Sequence, residues 1–245
     1  MAILGIDIGG SGIKGALVDI DSGELETDRL RIETPQPSKP EAVIEVVRQI
    51  VEHFAYKGPL GVGFPAIVIQ GVTRSAANVD DAWIEYPAAK KIAEATGCQT
   101  IVRNDADVAA VAEMKFGAGK GQMGSVMVFT LGTGIGSAMF MDGKLVPNLE
   151  LGHVYLPGRK KDAEFYAAER VRDEKNLSWR AWGKRLNKYF NFIEGLFSPE
   201  LIIIGGGVSK KHEEFLSYIK VRARVVPAAL RNEAGIVGAA LTAVS

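Results

Sequence analysis

With 245 residues, 47% of them hydrophobic and 24% charged, the chain has ordinary globular composition and room for one large domain or two modest lobes. Its single cysteine, Cys98, excludes an intrachain disulfide and any cysteine-cluster metal site. No apolar run reaches about 18 residues and no basic leader precedes the first apolar stretch, so a cytoplasmic address is expected, with no membrane partner.

The formal net charge is zero, but residues 1–150 carry 13 Lys and Arg against 19 Asp and Glu, whereas residues 151–245 carry 16 against 10. The second part is therefore a candidate polyanion surface, with a solvated helix face as the plain alternative. Its basic residues cluster at Arg159-Lys160-Lys161, Arg170 with Arg172 and Lys175, Lys184-Arg185 with Lys188, Lys210-Lys211, and Lys220 with Arg222 and Arg224.

In chain order, the first element is a hairpin: apolar residues 3–8, a turn at Gly9-Gly10-Ser11-Gly12, and a second strand from Ile13 to Asp19. Gly10-Ser11-Gly12-Ile13-Lys14-Gly15 matches the dinucleotide spacing G-x-G-x-x-G, but that fingerprint needs a helix to open at its last glycine, and Ala16-Leu17-Val18 continues as strand. Lys120 in Gly117-Ala118-Gly119-Lys120-Gly121 likewise fails the P-loop spacing. A short stretch at Leu30–Glu33 precedes a proline loop. Val43, Val46, Val47, Ile50, Val51 and Phe54 then mark one apolar helix face. Residues 60–65 read as a buried strand, 87–96 as a helix closed by Gly97, 100–103 as a strand and 105–116 as a helix. Asn104 and Asp105 thus stand where a strand ends and a helix starts, a ligand-binding position in open α/β sheets.

The hairpin then recurs. Residues 126–131, a turn at Gly132-Thr133-Gly134, and residues 135–141 repeat the apolar strand, glycine turn, apolar strand pattern. Amides in a glycine turn can converge on phosphate oxygens with no Cβ in the way, so two copies suggest two clamps on a phosphoryl donor. Beyond them the pattern predicts helices at about 163–174 and 178–196, a strand at 201–204 running into Gly205-Gly206-Gly207, a helix from Ser209, and a last helix at about 232–243. His53 and His212 read as surface helix residues.

Five segments in order, Asp7-Ile8-Gly9-Gly10-Ser11-Gly12-Ile13-Lys14, Asn104-Asp105-Ala106-Asp107, Leu131-Gly132-Thr133-Gly134-Ile135-Gly136-Ser137, Glu150-Leu151-Gly152-His153 and Ile204-Gly205-Gly206-Gly207-Val208-Ser209, resemble the ROK sugar kinases of the hexokinase, Hsp70 and actin superfamily. The resemblance implies an α/β, two-lobed ribonuclease H-like (actin/hexokinase) ATPase fold with a central cleft. Its small lobe would be residues 1–104 completed by a C-terminal helix within 232–245, and its large lobe residues 105–231. It also implies a homodimer. Most members carry a cysteine-rich zinc loop after the Glu-x-Gly-His motif, whereas residues 156–164 hold no cysteine, so no structural zinc is expected. That short basic replacement resembles the polyphosphate-using glucose kinases of the family.

What the resemblance implies can be weighed residue by residue. Asp105 becomes the base for the sugar's C6 hydroxyl, a helix N-cap being its plain alternative. Gly63, Asn104, Asp105, Glu150, His153 and Glu164 become sugar ligands, although a histidine with two glutamates could instead hold a metal. Asp7, Gly9, Gly10, Ser11, Gly12, Lys14, Thr133, Gly134, Gly205, Gly206 and Gly207 become donor ligands, with Mg²⁺ held at Asp7, directly or through water. Lys14 adds a cation or is a solvated strand lysine. The expected partners are glucose and polyphosphate, or ATP, with no nucleic acid. An ATP-dependent gluco-, manno- or fructokinase is the second enzyme reading. A sugar-responsive repressor is the third, disfavoured because those members carry a helix-turn-helix ahead of the first strand.

Overall fold

The computed structural model describes residues 1–77 and 79–244; Asn78, and Ser245 at the end of the expected second segment of the small lobe, lie outside the described residues. The chain divides into two units, Met1–Ala112 with Glu233–Ser245, and Glu113–Asn232.

In the first unit, β1 (Ala2–Ile8), β2 (Ile13–Asp19) and β3 (Leu30–Ile32) form an antiparallel meander. A crossover through α1 (Pro40–His53) leads to β4 (Leu60–Phe64), which pairs in parallel with β1. A two-stranded ribbon, β5 (Val68–Ile69) and β6 (Val72–Thr73), and α2 (Ala88–Thr96) precede β7 (Thr100–Asn104), parallel to β4. The sheet order is β3-β2-β1-β4-β7. Every residue of β4 is buried, as its unbroken apolar run requires of a strand covered on both faces. The α1 stripe packs into the same core as Leu4, Ile6 and Val62. From β7 the chain turns straight into α3 (Asp105–Phe116).

The second unit repeats this topology with different residues. Strands β8 (Ser125–Leu131), β9 (Ile135–Met141) and β10 (Lys144–Val146) form the meander. Helices α4 (Glu164–Ala167), α5 (Glu169–Glu174) and α6 (Trp179–Phe197) then lead to β11 (Leu201–Gly205), parallel to β8, and to β12 (Arg224–Pro227), parallel to β11. The order β10-β9-β8-β11-β12 corresponds strand for strand to the first sheet. Thus the duplicated hairpin is the visible part of a duplicated five-stranded sheet. On α6, Ser178 caps the start by accepting from the Ala181 amide, and Trp182, Leu186, Tyr189, Phe190 and Ile193 line the buried face.

Three elements differ from the sequence expectation. The helix at 163–174 is two helices, because Ala168 is extended (φ −58°, ψ 154°) and the Trp182 indole donates to the carbonyls of Ala167 and Ala168, at 2.9 and 3.2 Å. Residues 207–214 are a 3-10 segment interrupted at Lys211, not an α-helix, and His212 lies on it. There Ser209 Oγ bonds the Gly206 carbonyl and His212 Nδ1 the Ser209 carbonyl, contacts three residues apart that compete with helical bonding. The final helix, α7 (Ala234–Thr242), follows a 3-10 turn at Arg231–Glu233.

Helix α7 belongs to the first unit and lies against β1 and β4 with almost no side chain between. A Cβ on Gly5 would run into the Ile236 carbonyl, one on Gly61 into the Ala239 carbonyl, and one on Gly238 into the Val108 carbonyl. The division between units falls inside α3, between Ala112 and Glu113, eight residues later than the expected 104/105 boundary. Val108 of α3 packs against Gly63 and Gly238, which ties the first turns of the helix to the first sheet.

Candidate active site

The β1–β2 turn closes with the Gly9 amide donating to the Gly12 carbonyl at 3.1 Å. Its other carbonyls are taken from one side: Thr34 Oγ1 donates to Gly9, Gln36 Nε2 to Gly10 and Arg31 Nη2 to Ser11. Among the described residues no group accepts from the Gly10, Ser11 or Gly12 amide. A turn with its carbonyls tied back and three amides uncommitted can receive an anion. Gly12 needs its bare Cα, since a Cβ would lie 2.6 Å from Arg31 Nε.

Beside this turn, at the end of β1, Asp7 faces Lys14 across the hairpin, with Nζ 3.5 Å from Oδ2. Burial pushes the Asp7 carboxyl above its ordinary range, against the pull of Lys14 and Arg29. Gly63 stands opposite Asp7 on β4, and a Cβ there would lie 3.8 Å from Asp7 Oδ1 and 3.7 Å from the Asp105 Cα. The missing side chain is what lets Asp7 and the start of α3 share one end of the sheet. Asn104, at 6% exposure, caps α3: its Oδ1 accepts from the Ala106 and Asp107 amides, and its Nδ2 donates to the Ala66 carbonyl. One Asn104 N–H is left over. Asp105 therefore need not be the cap; it is the first residue of the helix, its Oδ1 accepting from the Ala106 amide at 2.8 Å.

The second unit treats its turn in a parallel way. The Gly132 amide donates to Gly134, and Arg170 holds the carbonyls of Gly132, through its amide, and Thr133, through Nε at 3.1 Å. Glu164 Oε1 accepts from the Ile135 amide at 2.7 Å, and Gly134 has no room for a Cβ beside that carboxylate. Gly205 continues β11 opposite Thr130, and Gly206 (φ 87°) turns the chain so close to Leu131 that any side chain would strike its backbone. Gly207 opens the following 3-10 segment.

Glu150 and His153 flank a 3-10 turn at Leu151–His153 that is pinned to β9 and α6. Ser137 Oγ donates to the Leu149 carbonyl and accepts from the Leu151 amide, while the Tyr189 hydroxyl donates to the Leu151 carbonyl. His153 Nδ1 lies 3.0 Å from Asp162 Oδ2, and its Nε2 3.9 Å from Glu150 Oε2. Burial alone would lower the His153 pKa, but Asp162, Glu164 and Glu150 together carry it above its ordinary value. Burial raises the Glu150 carboxyl, with Glu164 adding to the rise and His153 opposing it.

Each unit therefore gathers part of the expected set. Asp7, Lys14, Gly63, Asn104 and Asp105 cluster beside the first turn, and Glu164, Gly206 and the 150–153 turn surround the second. Lys14 is engaged with Asp7 and is not a free strand lysine. Among the described residues no group of three His, Cys, Asp or Glu could hold a metal ion, and no helix is long and apolar enough to cross a membrane. Sequence reading did not single out Arg31, Thr34, Gln36 or Asp162, nor that Arg170 ties back the second turn. It also passed over Glu113, buried in α3, whose carboxylate accepts from the amides of Ala118, Ala229 and Leu230. Only Asp162 carried a signal, as a carboxylate nine residues from a histidine that needs orienting.

A glycine-turn hairpin, a third antiparallel strand and two parallel strands, built twice with a carboxylate at the first turn, make the hexokinase-like ATPase fold. The chain belongs to the ROK family, whose model matches residues 3–171. It is 46% identical over 242 residues to the polyphosphate glucokinase of Mycobacterium tuberculosis (strain CDC 1551 / Oshkosh), a match covering 98% of this chain and 91% of that protein. The crystal structure of inorganic polyphosphate/ATP-glucomannokinase from Arthrobacter sp. strain KM matches at a TM-score of 0.94 and 48% identity, over 99% of this chain and 98% of that one. The ROK family glucokinase of Streptomyces griseus, solved with glucose and AMPPNP, matches at a TM-score of 0.84 and 25% identity, over 98% of each chain.

Proposed function

We propose that this chain is a sugar kinase that transfers a phosphoryl group from inorganic polyphosphate to the C6 hydroxyl of glucose, giving glucose 6-phosphate. The observation that carries the reading is the near full-length identity of 46% and 48% to two relatives that are both named for polyphosphate. The Arthrobacter relative is named for ATP and for mannose as well, which makes ATP a second donor and mannose a second acceptor to be tested.

In this reading Asp105 orients the C6 hydroxyl and takes its proton. Phosphoryl transfer through a loose transition state depends on position and charge neutralisation, so orientation is the larger part of its work. Asn104 offers its remaining N–H to the sugar, Gly63 leaves space for it, and Glu150, His153 and Glu164 supply acceptors and a donor to the other hydroxyls. Glu164 keeps one oxygen for this, the other being committed to Ile135. The amides of Gly10, Ser11 and Gly12, in a turn that the Gly9 amide closes, hold the donor phosphates together with those of Thr133, Gly134 and the Gly205–Gly207 turn.

Asp7 suits Mg²⁺, which is characteristically held by one or two carboxylates together with substrate phosphates and water. Its carboxylate is largely desolvated and meets a single ammonium, Lys14, at 3.5 Å, so a further cation would be welcome there. When bound, the ion would neutralise charge on the donor. Structural zinc has no place in this reading, because the 156–164 loop lacks cysteine. A cytoplasmic homodimer completes the proposal.

The test is glucose and mannose phosphorylation measured side by side with polyphosphate, ATP and GTP, with and without Mg²⁺. Polyphosphate-driven formation of glucose 6-phosphate that stops on chelation and returns with Mg²⁺ is expected. Activity with nucleotides alone would transfer the chain to the ATP-dependent reading.

A further inference from the structure

Three aromatic rings on the second unit each carry two cations. Tyr166 has Arg159 at 4.0 Å and Arg185 at 5.1 Å from its centroid; Phe165 has Lys161 at 4.4 Å and Arg170 at 5.6 Å; Trp179 has Arg172 at 3.6 Å and Lys211 at 5.7 Å. The two cations on each ring lie no more than about 10 Å apart, near a Debye length, so their mutual repulsion is partly screened and an anion that bridged them would be favoured. Carboxylates answer only part of this charge. Arg170 pairs with Glu174 and Arg172 with Asp173, and Glu169 acts at longer range on Arg172 and Lys211, but among the described residues no acidic group lies within ion-pair distance of Arg159, Lys161, Arg185 or Lys211. From residue 155 to 185 the sequence holds nine Lys and Arg against five Asp and Glu.

This surface runs out from the second turn. Arg170, on Phe165, is the residue that ties back the Gly132 and Thr133 carbonyls, and Phe165 directly follows Glu164, which holds the Ile135 amide. Lys211 lies four residues beyond Gly207. Tyr166 and Trp179 are half-buried against the core of the unit, whereas Phe165 is 47% exposed, and stacking on these rings keeps long cationic side chains ordered.

Building on the proposed function, we propose that Arg159, Lys161, Arg170, Arg185, Arg172 and Lys211, ordered on Tyr166, Phe165 and Trp179, form the track that holds the polyphosphate chain beyond its reacting phosphate. A ladder of closely spaced, under-neutralised cations fits a ligand that carries a negative charge at every unit and has no other recognition group. Single-stranded nucleic acid fits less well, because it is gripped by base stacking on free rings and these rings are already occupied by cations.

The test is a triple variant, Arg159→Gln with Lys161→Gln and Lys211→Gln, compared with a control of equal charge change elsewhere on the unit and outside every basic cluster of residues 151–245, Lys115→Gln with Lys120→Gln and Lys144→Gln. Binding of end-labelled long-chain polyphosphate is read by fluorescence anisotropy at several salt concentrations, with tripolyphosphate as competitor. The track variant should lose roughly tenfold or more of long-chain affinity, and the slope of log K against log salt should shrink by about 2, as expected when three phosphates are no longer neutralised. Its tripolyphosphate affinity and glucose KM should stay within about twofold of the parent, and the control variant should match the parent throughout. An equal loss in the control, an equal loss for tripolyphosphate, no loss in the track variant, or competition by single-stranded RNA as strong per phosphate as polyphosphate would each overturn the track. The proposed activity is judged separately, by whether the unaltered chain phosphorylates glucose from polyphosphate at all.

Discussion

His153 Nδ1 lies 3.0 Å from Asp162 Oδ2, so the ring is held with its proton on Nδ1 and its Nε2 turned to the side of Glu150. The second Asp162 oxygen accepts from the Phe165 amide, tying the histidine to the start of α4. In the proposed function Asp162 is thus a positioning residue for His153 as a sugar ligand. Asp162→Ala should raise the glucose KM about tenfold while changing kcat less, the size expected for losing a charge-assisted hydrogen bond, and Asp162→Asn should recover part of the loss. Steady-state kinetics with glucose varied at saturating polyphosphate checks this; a fall in kcat at constant KM would remove Asp162 from the sugar site.

The same pair predicts a pH dependence of stability. The folded state raises the His153 pKa, so the stabilisation is complete below the unfolded value of about 6.5 and is lost as pH rises through the folded value. The stability advantage of the parent over His153→Asn should therefore shrink from mildly acidic to mildly alkaline pH. Denaturant melts of both proteins across that window measure it, and a constant difference would mean that the ring is not charged when folded.

Asp105→Asn keeps the shape of the α3 start and leaves the Asn104 cap intact, while removing the proposed proton acceptor. Turnover should fall by about 10² or more with a smaller change in glucose affinity. Near-normal turnover, measured as glucose 6-phosphate formed per second at saturating substrates, would return Asp105 to a purely structural role.

Asp7 predicts opposite effects on stability and activity. Because its folded pKa is raised, ionisation above the unfolded value of about 3.9 costs folding free energy, and the cost grows until pH passes the folded value. Asp7→Asn should raise Tm at neutral pH, at about 2–4 °C for each kcal/mol relieved in a chain of this size, and should abolish most activity and the response to Mg²⁺. Calorimetry paired with a metal titration tests both halves; a lowered Tm would show that the Lys14 pairing outweighs the burial.

Gly61→Ala sets a Cβ against the Ala239 carbonyl of α7, a backbone atom with no rotamer to yield. The substitution should destabilise by about 1–3 kcal/mol or more through overpacking, whereas Gly10→Ala, with open space around it, should leave stability nearly unchanged. Urea melts of the two variants give the comparison.

The local sequence by itself determined the repeated hairpins, the apolar face of α1, and the placing of Asn104 and Asp105 between β7 and α3. These are legible because glycine turns, alternating burial and helical periodicity act over a few residues. What only tertiary structure decided is which group answers each polar atom. Asn104 became the α3 cap because the Ala66 carbonyl, 38 residues earlier, was there to hold its amide, and that left Asp105 without the capping role. Trp182 split an apparently continuous helix by taking two of its carbonyls from 14 and 15 residues away. Arg31 and Arg170 turned two glycine loops into amide cradles from 20 and 37 residues along the chain. Such bonds leave no periodic mark in sequence, because a hydrogen bond requires only that donor and acceptor meet in space, and the meeting is arranged by the packed sheets that carry them.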